Sequence, residues 1–152
     1  MTLVLSLLLA CGPKAAPQPV AAAAAEAAPS GASLDGAKLP GDAASRSFAK
    51  RLVTTPIVDF SPTEGGGIAF TWTRVTFGGD NAWRAEGRMR DPEGETVSCT
   101  ESGTWELEPA ESEGVAIVAL AQAQGDCPGR PSTGTARYRL LAEGDGWKVQ
   151  VR

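Results

Sequence analysis

The sequence predicts an all-β domain: an antiparallel meander of about six to eight short strands, forming a small barrel or strongly curled sheet behind a disordered linker. Three observations lead there. Apolar and polar residues alternate with a period of two in one segment after another beyond residue 66. Clusters of Gly, Pro, Asp and Asn separate those segments at nearly regular spacing, as turns do. The first part of the chain is dominated by Ala, Pro, Gly and Ser, which cannot bury enough apolar surface to offset the entropy of ordering. Closure or strong curling follows from the meander, because it hides edge strands that would otherwise pair with neighbouring molecules.

In chain order, the first element is an apolar run over residues 2–10 that ends in Leu8-Leu9-Ala10-Cys11 and is followed by Gly12-Pro13. A short apolar stretch closed by a small residue reads as a secretory signal. With the cysteine placed directly after it, the motif resembles the lipobox of bacterial lipoproteins. That resemblance implies cleavage before Cys11, a diacylglyceryl thioether on its sulfur and stable anchoring through two or more acyl chains. By the same resemblance Gly12, where Asp would mark inner-membrane retention, points to the outer membrane. The run stops near ten residues, whereas a membrane-spanning helix needs about 20. Residues 11–47 then read as a lipidated cysteine and a tether, including Ala21-Ala22-Ala23-Ala24-Ala25 hemmed in by Pro17, Pro19 and Pro29. The β-domain is expected over residues 48–152, with a short helix or another strand at its entrance over residues 46–53, limited by Pro56.

The strands follow. Residues 67–77 place Ile68, Phe70 and Trp72 opposite Thr71, Thr73 and Val75, and Gly78-Gly79-Asp80-Asn81 supplies left-handed turn positions. The clearest alternation is residues 82–90: Trp83, Ala85, Gly87 and Met89 point one way, and Arg84, Glu86, Arg88 and Arg90 the other. Asp91-Pro92-Glu93-Gly94 turns the chain. Residues 95–100 align Val97 with Cys99, residues 103–108 align Trp105 with Leu107, and Glu111-Ser112-Glu113-Gly114 turns again. Residues 115–124 are apolar on both sides, as a strand covered on both faces would be; a helix competes, and β-branching favours the strand. A loop over residues 125–134 leads to strands at 136–142 and 147–151, joined through Gly144-Asp145-Gly146.

Of the three cysteines, lipidation consumes Cys11, which leaves Cys99 and Cys127 as an even pair in an oxidising compartment and predicts a disulfide between them. The string Gly103-Thr104-Trp105-Glu106-Leu107 is similar to the Gly-x-Trp signature of small lipocalin-like lipoproteins, a resemblance that implies an up-and-down barrel.

Function must come from a site, and none declares itself. The chain has no histidine, hence no imidazole ligand or general base. Glu64-Gly65-Gly66-Gly67 lacks the Lys-Ser/Thr of a phosphate loop, and the acidic turns match no calcium-loop spacing. The reading is therefore a non-enzymatic protein without cofactor or metal. It would be a monomer anchored to the membrane by its lipid and acting as a binding or scaffolding module towards an envelope component. The alternative is a lipocalin-like carrier of a small apolar ligand. The residues to inspect for binding are Trp72 and Trp83, as walls of an apolar pocket, and Arg84 and Arg88, within an outward basic stripe that also includes Arg74 and Arg90. The bland explanation of those arginines is cross-strand pairing with Glu86, Glu101, Glu106 and Glu108. A net charge of -4 argues against nucleic acid.

Overall fold

A computed structural model describes residues 33–62, 70–90, 93–128 and 133–152. The expected signal, Cys11, the glycine loop at 64–67, Ile68 and the Asp91-Pro92 half of a turn lie outside the described residues. The fold is one helix, α1 (Ala43–Thr54), followed by seven strands: β1 (Ile57–Phe60), β2 (Phe70–Phe77), β3 (Ala82–Arg90), β4 (Thr96–Leu107), β5 (Val115–Gly125), β6 (Gly134–Glu143) and β7 (Gly146–Val151). Each strand pairs antiparallel with the next, in the order β1 to β7, so the sheet is the expected meander. It curls until β1 comes alongside β7 without forming a ladder with it, which makes a nearly closed barrel with one open seam. Among the described residues no helix is long and apolar enough to cross a membrane.

The entrance element is the helix. Asp42 caps it, accepting from the Ser45 backbone N–H and the Ser45 hydroxyl at 2.7 Å each, while that hydroxyl oxygen accepts from the Ala110 N–H at 3.0 Å. The Ser45 hydrogen bonds hold the Asp42 carboxyl below its ordinary 3.8. Phe48, Ala49 and Leu52, at helical spacing, are buried against the sheet, and Phe48 packs on Trp147 with ring centroids 5.0 Å apart. Arg51 lies over the same indole at 5.2 Å and donates to the carbonyls of Gly144 and Gly146. The helix thus plugs the barrel end formed by the β4–β5 and β6–β7 turns.

Ordered structure begins earlier than residue 48. Leu34, Ala37 and Leu39 pack on the core, and Lys38 donates its backbone N–H to the Asn81 side chain at 2.6 Å. Two leucines suffice to dock a segment whose composition otherwise reads as tether. Gly79 is the contact that makes this possible, since a methyl there would collide with the Ser33 carbonyl oxygen. In this β2–β3 turn the left-handed residue is Asn81 (φ 65), not a glycine.

Two irregularities set which side chains face inward. A register shift between Trp72 and Arg74 makes Thr73 a bulge, so Phe70, Trp72, Val75 and Phe77 are all buried. Val75 therefore points into the core, not outward with Thr71 as simple alternation predicts. Beside it in β1, Asp59 is left-handed (φ 47). The phase of the strand flips there: Ile57 is buried and Val58 exposed, yet Phe60 turns back to pack on Trp72 and Tyr138.

The stretch read as two strands at 95–100 and 103–108 is the single long β4, and its inward row includes Glu101, 2% exposed, as well as Cys99, Trp105 and Leu107. β5 is covered on both faces as expected: Ala116, Val118 and Leu120 belong to the core cluster, and Ile117 on the other side is also buried. The disulfide joins Cys99 to Cys127, with Cα atoms 4.9 Å apart, and ties the segment after β5 to β4. Beside it the Thr100 backbone N–H and hydroxyl both donate to Asp126, which lowers that carboxyl from its ordinary 3.8.

Candidate functional site

The residues singled out from sequence lie on the two faces of one small region. Trp72 and Trp83 are under the sheet, 3% and 2% exposed, with centroids 5.8 Å apart. Trp72 also packs against Phe60, Phe70 and Tyr138, so aromatic rings occupy the space between the strands. Gly87 fits under this cluster because it has no side chain; a methyl there would sit 2.7 Å from the Phe70 ring. Gly103 plays the same part beneath Trp83, where a methyl would strike the Ala121 carbonyl oxygen and approach the indole nitrogen to 2.9 Å.

Every tryptophan N–H in the chain is bonded within the protein. Trp72 donates to Glu101 at 2.8 Å, Trp83 to the Ala121 carbonyl at 3.2 Å, Trp105 to the Gly78 carbonyl at 3.0 Å and Trp147 to the Thr55 carbonyl at 2.9 Å. These indoles are built as structure, with their polar handles already engaged. Glu101, expected as an outward partner for arginine, instead serves this interior.

On the opposite face of β3, Arg84, Glu86, Arg88 and Arg90 are all exposed. The register places each beside named neighbours on the flanking strands. Arg84 lies between Thr76 and Ser102, Glu86 between Arg74 and Thr100, and Arg88 between Thr71 and Ser98, while Arg90 pairs with Thr96. Five successive outward positions of β4, Thr96, Ser98, Thr100, Ser102 and Thr104, carry hydroxyls. This row is legible in the sequence as a period-two pattern, but attention to charge alone passes over it.

The expected ion pairing is realised only in part. Arg137 meets Glu108 at 3.1 Å, and Arg139 and Arg152 both meet Glu111, at 2.8 and 3.4 Å. Arg88 approaches Asp59 at 3.9 Å, with both side chains mostly in solvent, a pair worth at most about 1 kcal/mol. Among the described residues Arg74 and Arg84 make no ion pair and no side-chain hydrogen bond, and neither do Ser98 and Ser102. Among the described residues Glu86 and Glu106 take no part in ion pairs either.

Two open clefts mark the outer surface. One of about 610 Å³ lies over Thr73, Glu86, Arg88, Ser98, Thr100 and Asp126, on the arginine-bearing face. The other, about 570 Å³, is the seam, lined by Phe60, Arg139, Val149 and Val151 among others. Cys99, Cys127 and Asp126 cluster closely enough to suggest a metal site. The two sulfurs are bonded to each other, however, and the carboxylate is held by Thr100, so the group offers no thiolate ligand. What the outer face offers is positive charge and hydrogen-bond donors held on a rigid sheet. Compared with protein-family models, curated proteins and solved structures, the chain gives no match.

Proposed function

We propose that this protein is a binding or scaffolding module of the cell envelope, held to a membrane by acylated Cys11 and meeting its partner with the outside of the barrel. The observation that carries the reading is the state of the interior. Trp72, Trp83 and Trp105 are essentially inaccessible, and the hydrogen bonds of their N–H groups end inside the protein. A carrier needs an apolar cavity with polar groups left over for the ligand; these residues are committed to one another. The outer face of β2 to β4, in contrast, keeps Arg74, Arg84, Ser98 and Ser102 without side-chain partners among the described residues. The resemblance of Leu8-Leu9-Ala10-Cys11 to a lipobox and the Cys99–Cys127 disulfide both suit export.

The alternative, a lipocalin-like carrier, has one observation in its favour: Phe60, Val149 and Val151 line the open seam, and Val151 is among the exposed large apolar residues. Intact-mass analysis of the protein from envelope fractions tests the anchor. The expected species starts at Cys11, carries acyl chains and has Cys99 and Cys127 joined. Unmodified protein with three free thiols in the cytosol would overturn the proposal.

A further inference from the structure

We infer that the outer face of β2–β4 is a binding site for sulfate or phosphate groups borne by a glycan, with Arg84 and Arg88 as its two anchors. This rests on the surface-binding reading above and names the ligand class for it. Strands β2 and β3 carry four arginines and one glutamate, in a chain whose net charge is -4. Four of the chain's 14 lysines and arginines thus share these two neighbouring strands, giving a locally cationic patch on an acidic protein.

The register then repeats one arrangement twice. Arg84 is flanked by Thr76 and Ser102, and Arg88 by Thr71 and Ser98. A guanidinium fork with a hydroxyl beside it suits a tetrahedral oxyanion. The fork engages two oxygens, and the hydroxyl donates to a third. A planar carboxylate has no third oxygen, so the serine would have to share an oxygen the fork already holds and adds less. On the β2 side the hydroxyls are already in use, Thr76 on the Arg84 carbonyl at 3.4 Å and Thr71 with Ser61 at 3.0 Å. Ser98 and Ser102 therefore supply the donors.

Spacing and sign restrict the ligand further. Arg84 and Arg88 are four steps of strand apart, about 13 Å at the usual rise. Exposed Glu86 lies midway, with Asp126 at the edge of the same cleft. A densely charged polymer such as nucleic acid would place phosphates against these carboxylates, whereas anionic groups spaced along a polyol would straddle them. All the tryptophans, with Phe70 and Phe77, face inward or pack at the helix plug, so this face holds no aromatic platform for base stacking.

The test is a titration of the purified full chain in detergent with sparsely sulfated dextran, sparsely phosphorylated dextran, carboxymethyl dextran and neutral dextran, at low and physiological salt. Sulfated and phosphorylated dextran should bind with salt-sensitive affinity, and neutral dextran should not. Arg84→Gln and Arg88→Gln should each weaken binding about fivefold, and more than tenfold together. Arg46→Gln, an equal loss of charge on α1, should not. Ser98→Ala with Ser102→Ala should weaken sulfated dextran more than carboxymethyl dextran. Unchanged thermal melting of these exposed variants shows that folding is not the cause.

Binding that survives the double arginine substitution overturns the inference. So does equal affinity for carboxymethyl dextran, tighter binding of a single-stranded oligonucleotide, or binding to phosphatidylglycerol vesicles with none to dextran. If an envelope partner is retained equally by parent and double variant, surface binding stands and this ligand class falls.

Discussion

Replacing Trp83 by alanine distinguishes a filled barrel from a ligand pocket more sharply than any other single change. The side chain is 2% exposed, packs on Trp72, and donates to the Ala121 carbonyl at 3.2 Å. Deleting a buried tryptophan costs about 3 to 5 kcal/mol through lost transfer energy and the residual cavity. The floor beneath it is Gly103, which has no side chain to move into the void, and removing the donor forfeits about 1 kcal/mol more. The expected loss is at the upper end, about 4 to 5 kcal/mol, set against a total stability of roughly 5 to 15 kcal/mol for a domain of this size. Urea unfolding followed by far-UV circular dichroism measures it without depending on the deleted fluorophore. A loss below about 1 kcal/mol, with the melting transition intact, would refute the reasoning, because a residue lining an open pocket can be removed at little cost.

Three further outcomes follow from other parts of the fold. Asp59→Val should destabilise by about 1 to 2 kcal/mol in the same assay, although strand propensity alone favours valine, because a β-branched residue resists the left-handed backbone at φ 47; Asp59→Gly should not destabilise. Reducing the Cys99–Cys127 bond, which closes a sequence separation of 28, should cost about 3 to 4 kcal/mol on the chain-entropy model, read as a lower urea midpoint with reductant. Asp126 has its folded pKa lowered, chiefly by the hydrogen bond from the Thr100 backbone, so its stabilisation is complete above the ordinary value of 3.8 and is lost as pH falls below that through the folded value. Asp126→Ala should therefore melt below the parent at neutral pH and converge with it in acid; a constant gap at all pH values contradicts this.

The meander was legible because most strands obey their alternation. Trp83, Ala85, Gly87 and Met89 are all buried while Arg84, Glu86, Arg88 and Arg90 are all exposed, and the two cysteines expected to pair are bonded. Most of the readings that differ share a cause: one or two residues alter the phase or dock a polar-looking segment. The Thr73 bulge carries Val75 inward; the left-handed turn at Asp59 does the same for Phe60 in β1, a strand for which the alternation gives no expectation. Nothing in either residue type announces this, since both are decided by how β1 and β2 fit around the core. Glu101 was misplaced for another reason. The gap read between residues 100 and 103 concealed an unbroken β4, and continuous alternation puts position 101 inside with Cys99. Leu34 and Leu39 were outweighed by the composition around them, although packing depends on the individual side chain. At the candidate site, Arg84 and Arg88 were visible from sequence as outward residues. Their hydroxyl neighbours needed the cross-strand register, which sequence leaves open by one or two residues.

The central claim is that recognition belongs to the outside of the barrel and that the interior is structural. Titrating the full chain with a long-chain fatty acid, while following tryptophan fluorescence and native mass, tests it most directly. The expected result is no stoichiometric complex and an unchanged emission spectrum, because Trp72, Trp83 and Trp105 already fill the space a ligand would need. Saturable one-to-one uptake that quenches those tryptophans would contradict it and restore the carrier reading.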